Sequence, residues 1–122
     1  MTLMEPTTKK RILIVDDEEC LREIFTMLFE RNGWEVVTAK DGVEGVFKFR
    51  KSETPFDGVL SDYQMPRMNG VVMLMEIVRM DPNVKVLMAS ADPPDLRVHL
   101  PGVKCLRKPF SNQELLEEFG IR

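Results

Sequence analysis

Residues 59–70 read VLSDYQMPRMNG, and the order of residue types in and around that stretch decides the fold. Gly58-Val59-Leu60-Ser61 is a short, nearly continuous apolar run, as expected of a parallel strand covered on both faces. Asp62 follows at its carboxyl end. The loop from Asp62 to Gly70 carries Pro66, Asn69 and Gly70, residues that interrupt regular structure. Val71, Leu74, Met75 and Val78 then recur at helical spacing, and Asp81-Pro82 closes that helix.

The same strand-then-helix unit repeats in both directions. Upstream, Ile12-Leu13-Ile14-Val15 is a strand, and Leu21, Ile24, Phe25, Leu28 and Phe29 mark one helix face that stops near Asn32-Gly33. Val36 to Ala39 is a second strand. Asp41 caps a helix on which Val43, Val46 and Phe47 share a face, with Pro55 beyond its end. Downstream, Val84–Ala89 and Val103–Leu106 are the fourth and fifth strands. Ser111-Asn112-Gln113-Glu114 is a capping box ahead of Leu115, Leu116 and Phe119. Strands alternating with helices require right-handed crossovers and a parallel sheet with helices on both faces. Five such units fit a flavodoxin-like doubly wound α/β sheet of order 2-1-3-4-5, whose crevice lies beyond the carboxyl ends of the first and third strands.

Composition narrows the function. The 122 residues suit one domain with its own core; 43% are apolar and 30% charged. A formal net charge of −3 offers no basic field for nucleic acid. Cys20 and Cys105 form no CxxC pair and, with His99, give no zinc spacing; they read as reduced thiols of a cytoplasmic protein. MTLMEPTTKK at the start has no apolar run for a signal peptide, and no stretch is long enough to span a membrane.

The chemistry concentrates at strand ends. Asp16 and Asp17 follow the first strand, and Asp62 follows the third. Each acid alone has an ordinary explanation; Asp16 or Asp17 would serve as a helix cap. Together at one crevice they repel one another unless a cation neutralises them, and oxygen ligands of this kind suit Mg²⁺. Ser90 ends the fourth strand and Lys108 the fifth, a hydroxyl and an ammonium fit for phosphoryl oxygens.

IVDDE (14–18), VLSDYQMPRMNG (59–70), LMASA (87–91) and LRKPF (106–110) together resemble the receiver domain of two-component response regulators. The resemblance covers residues 9–122, with residues 1–8 read as a flexible leader. It implies that Asp62 is the phosphate acceptor and that Asp16 and Asp17 hold Mg²⁺, with Asp62 and the backbone carbonyl of Gln64 as further ligands. Ser90 and Lys108 would bind the phosphoryl group, and Lys108-Pro109 matches a bond often cis in the family. The implied donor is a sensor histidine kinase or a phosphotransfer protein. The implied recipient is a downstream protein or a fused output domain. Such a domain catalyses only its own phosphorylation and dephosphorylation. A haloacid-dehalogenase-type phosphatase also places an Asp nucleophile after a strand, but carries a second acid two residues on, where this chain has Gln64. A phosphorylation-independent interaction module on the same fold is the other alternative.

Two departures from the family pattern fall together. Cys105 stands where an aromatic usually precedes the lysine by three residues, too small to report by swinging. The segment from Ala91 to Gly102 is short and carries Pro93, Pro94 and Pro101, so the fourth helix should be reduced or irregular, with Asp92 as its cap and Pro93-Pro94 in its first turn. The expected moving element is therefore this segment, drawn by Ser90.

Overall fold

The computed structural model describes residues 9–122; the leader read at residues 1–8 lies outside them. Five strands, β1 (Arg11–Val15), β2 (Glu35–Ala39), β3 (Gly58–Asp62), β4 (Lys85–Ser90) and β5 (Lys104–Arg107), form one parallel sheet ordered β2-β1-β3-β4-β5. Four helices accompany them: α1 (Glu19–Arg31), α2 (Gly42–Lys51), α3 (Gly70–Met80) and α4 (Asn112–Glu118).

Strand alternation divides the core. Ile12 and Ile14 join Leu60, Leu87, Phe25, Phe29, Trp34 and Leu115 beneath α1 and α4. Leu13 and Val15 join Val59, Met88, Val46, Leu74 and Ile77 beneath α2 and α3. Leu96 and Leu100, from the β4–β5 connection, complete that second cluster.

The helix ends follow their side chains. Asp41 accepts the Glu44 N–H at 2.8 Å and Asn69 accepts that of Val72 at 3.0 Å. Ser111 and Glu114 close a reciprocal capping box, each accepting the other's backbone N–H at 3.0 Å. α1 has no side-chain cap of this kind; its cap position is Glu18.

Some apolar faces sit differently from the periodicity. Ile24 and Phe47 are 51% and 55% exposed. In α1 the buried line is Phe25 and Phe29, four residues apart, and Ile24 is one residue, about 100°, off it. In α2 the buried positions are Gly42, Gly45 and Val46, with Phe47 likewise rotated away. α3 turns Met73, Leu74 and Ile77 inward, while Val71, Met75 and Val78 pack at the margins.

The β4–β5 connection contains no helix. Asp92 caps nothing; its N–H donates to Ser90 Oγ at 3.1 Å. Pro94 biases Pro93 away from helical backbone, and neither proline has an N–H to donate. One turn forms later, closed by Leu100 N–H on Leu96 O at 2.8 Å, and those two leucines are buried. The Lys108-Pro109 bond is cis.

Candidate functional site

All strands run the same way, so their carboxyl ends share one edge. Register aligns Val15 with Ser61, Asp62 with Ala89, and Ser90 with Arg107. Asp16 therefore leaves β1 beside the end of β3, Ser90 lies one residue beyond the Asp62–Ala89 pair, and Lys108 one beyond Arg107. Asp16, Asp17 and Asp62 offer carboxylate oxygens all within 4.8 Å of one another. Lys108 Nζ lies 3.4 Å from Asp62 Oδ1, with both side chains largely buried. The Lys108 N–H donates to the Ser90 carbonyl at 2.9 Å, which locks the fifth strand's exit to the fourth's. Gln64 is exposed in the loop after β3.

The electrostatics bear on what the cluster holds. Asp16 is buried, and burial raises its carboxyl from 3.8 to about 6. The Glu18 N–H donated to its Oδ1 at 2.9 Å pulls the other way, as does Lys108, while the Asp62 and Asp17 charges push it higher. One lysine thus faces three carboxylates, one of them desolvated. The donor set is hard oxygen, partly open to solvent through Asp17, and short of positive charge. Those properties fit a small divalent cation that keeps several waters.

Several neighbours had no signal in sequence. Ser61, fully buried, donates its hydroxyl to the Asp62 carbonyl at 2.7 Å. Arg22 donates to the Asp16 carbonyl at 2.7 Å. Gly70, read from sequence only as a break in regular structure, is required by proximity, because a Cβ there would meet the Asp62 carbonyl. Arg67 adopts φ +70°, a conformation that costs a side-chain-bearing residue of order 1–3 kcal/mol. Nothing in an arginine forecasts that. His99 is exposed, and Cys20 and Cys105 are free thiols. Burial pushes the Cys105 thiol up, with the Asp62 charge acting in the same direction.

A parallel 2-1-3-4-5 sheet with three acids and a lysine at one strand-end crevice defines a doubly wound α/β domain with a carboxylate set between a divalent-cation site and an ammonium. The response regulator receiver domain family matches residues 12–119, and the chain belongs to it. Accepting a phosphoryl group in two-component signalling is the general function of that family. Among relatives, it is 37% identical over 110 residues to the transcriptional regulatory protein CpxR homolog of Haemophilus influenzae, covering 87% of this chain and 47% of that one. It is 39% identical over 83 residues to the chemotaxis protein CheY of Thermotoga maritima, covering 67% and 68%. Among solved structures, it is similar to the CheX–CheY–BeF3–Mg complex from Borrelia burgdorferi, with TM-score 0.79 and 31% identity over 89% of this chain and 85% of that one. The chain spans about half the length of the transcriptional regulators it matches. Among the described residues, no helix is long and apolar enough to cross a membrane.

Proposed function

We propose that residues 9–122 are one receiver domain in which Asp62 is the phosphoryl acceptor. The observation that carries this reading is that Asp62 belongs at once to the three-carboxylate cluster and to the Lys108 contact at 3.4 Å. A carboxylate nucleophile with a cation site on one side and an ammonium on the other meets the charge demands of in-line phosphoryl transfer.

A carboxylate oxygen of Asp62 attacks the phosphorus of a phosphohistidine or of a small acyl phosphate. The new O–P bond forms as the bond to the donor breaks, and the imidazole or carboxylate leaves. Lys108 and the Ser90 hydroxyl donate to phosphoryl oxygens. Ser90 already accepts the Asp92 N–H, which leaves its own hydrogen free to donate. Asp16, Asp17, Asp62 and the Gln64 carbonyl would hold Mg²⁺. When bound, the ion supplies positive charge against the phosphoryl oxygens. The product is an acyl phosphate open to hydrolysis, so the mark is temporary and the domain modifies only itself. The donor is a sensor histidine kinase or a phosphotransfer protein, met in the cytoplasm. The recipient is a separate protein or a fused output domain, reached through the 91–102 segment and the β5 edge.

The test is labelling with acetyl phosphate and Mg²⁺. Acid-labile, hydroxylamine-sensitive phosphate should appear on the wild type and vanish in Asp62→Asn while the fold persists. Equal labelling of the variant would move the acceptor elsewhere.

A further inference from the structure

Arg67 is the one residue other than glycine with positive φ among the described residues. The Met68 N–H donates to the Pro66 carbonyl at 2.8 Å, so Arg67 is the centre of a three-residue turn of the rare, positive-φ kind. A strained turn at a long charged residue persists only where its surroundings over-determine it. Here the side chain crosses to α2, and Arg67 Nη1 donates to Asp41 Oδ2 at 3.2 Å.

Asp41 divides its two oxygens. Oδ1 caps α2 through the Glu44 N–H, so capping needs only that atom. Oδ2 serves Arg67. The acid is 3% exposed, and a desolvated carboxylate gains more from a charged partner than an open one. The contact is reinforced beside it: a Cβ on Gly42 would run into the Met68 carbonyl and side chain, so the loop lies directly on the first turn of α2. At its far end, the Gly70 N–H donates to the Tyr63 carbonyl at 2.7 Å. The loop from Tyr63 to Gly70 is thus closed at its base and strapped once, at Arg67, to a neighbouring helix. Gln64 lies within the closed loop.

We propose that Arg67 is a positioning residue whose strap to Asp41 fixes the 63–70 loop so that the Gln64 carbonyl is presented to Mg²⁺ beside Asp17 and Asp62. This rests on the functional reading above and deepens it. Arg67 touches neither metal nor phosphoryl group; it acts through the loop.

The experiment is Mg²⁺ titration calorimetry on the unphosphorylated chain, with thermal melting alongside. Arg67→Gly accepts the positive φ without strain and so isolates the strap from the turn. It should bind Mg²⁺ about tenfold more weakly, the lower end of what losing a group that orients a metal ligand costs. Arg67→Lys, which keeps the charge, should recover most of that affinity. Asp41→Asn keeps a capping oxygen and should weaken binding comparably. The double variant Arg67→Gly/Asp41→Asn should be no weaker than Arg67→Gly, because both remove one interaction. Wild-type affinity in Arg67→Gly, or additive losses in the double variant, would overturn the strap. Absence of Mg²⁺ binding by the wild type would instead overturn the metal reading itself, and the strap with it.

Discussion

The two halves of the crevice rim are built differently. On the β1–β3 side, Asp16, Asp17 and Asp62 converge within 4.8 Å, seated on central strands and braced by Ser61 and Arg22. On the β4–β5 side, Ser90 leads into a connection with no helix, and the half-buried Cys105 borders a cavity of about 260 Å³ with Pro94, Leu96, Leu100 and Val103. The first half gathers the carboxylates, and the second reaches them through Lys108, 3.4 Å from Asp62. The connection of the second is anchored in the core by two buried leucines and one turn, and tied to the sheet at its start through Ser90 and Ala91. Cys105 offers no ring for an aromatic swing, so we expect a signal from Ser90 to travel through the connection itself, by one state being bound better than another.

That contrast breaks if changes on one side act on the other. Asp17→Ala should weaken Mg²⁺ binding the most, by about a hundredfold, since even orienting partners of a ligand cost 10–100-fold. Leu100→Ala should leave Mg²⁺ affinity intact and cost about 2 kcal/mol in urea unfolding, the low end for a core leucine because a connection without a helix can settle into the space. A Leu100→Ala protein that loses Mg²⁺ binding would show that the halves are one unit.

The charge shortage on the β1–β3 side sharpens the comparison through pH. Asp16 is raised from 3.8 to about 6, chiefly by burial, so the folded protein holds this proton where the unfolded chain has released it. Stability from this group is therefore present below about pH 4 and declines as pH rises towards 6, a loss of order 2 kcal/mol. Denaturant midpoints of the metal-free protein should fall across that window, and Asp16→Asn should flatten the fall. Added Mg²⁺ should reverse it. A midpoint that rises with pH in both proteins would contradict the picture of uncompensated carboxylates.

The smallest effect belongs to the relay side. Adding beryllofluoride with Mg²⁺ should change hydrogen exchange in residues 91–102 and along β5. Changes confined to α1 and α2 would show that the connection is not the moving element.

How much of this was legible in sequence follows the same division. Apolar runs set which segments are strands, and parallel pairing then brings their last residues to one edge; the placement of Asp16, Asp62, Ser90 and Lys108 at that edge was readable for that reason. Pro93, Pro94 and Pro101 forecast a reduced or irregular fourth helix, and the connection has none. What they did not forecast was the buried turn from Leu96 to Leu100, because prolines say what backbone is forbidden and not what replaces it. Ile24 and Phe47 misled because periodicity gives a helix its apolar stripe but not how much of that stripe the sheet can cover. Arg67 was invisible because its backbone is held by Asp41, 26 residues away in the chain.

The central claim is that Asp62 itself takes the phosphoryl group. Its most direct test is to incubate the wild type with acetyl phosphate and Mg²⁺, trap the acyl phosphate by borohydride reduction, and map the modified residue by peptide mass spectrometry. The account predicts conversion at Asp62 alone, dependent on Mg²⁺. Modification at Asp16 or Asp17, or none under conditions where Mg²⁺ is bound, would contradict it.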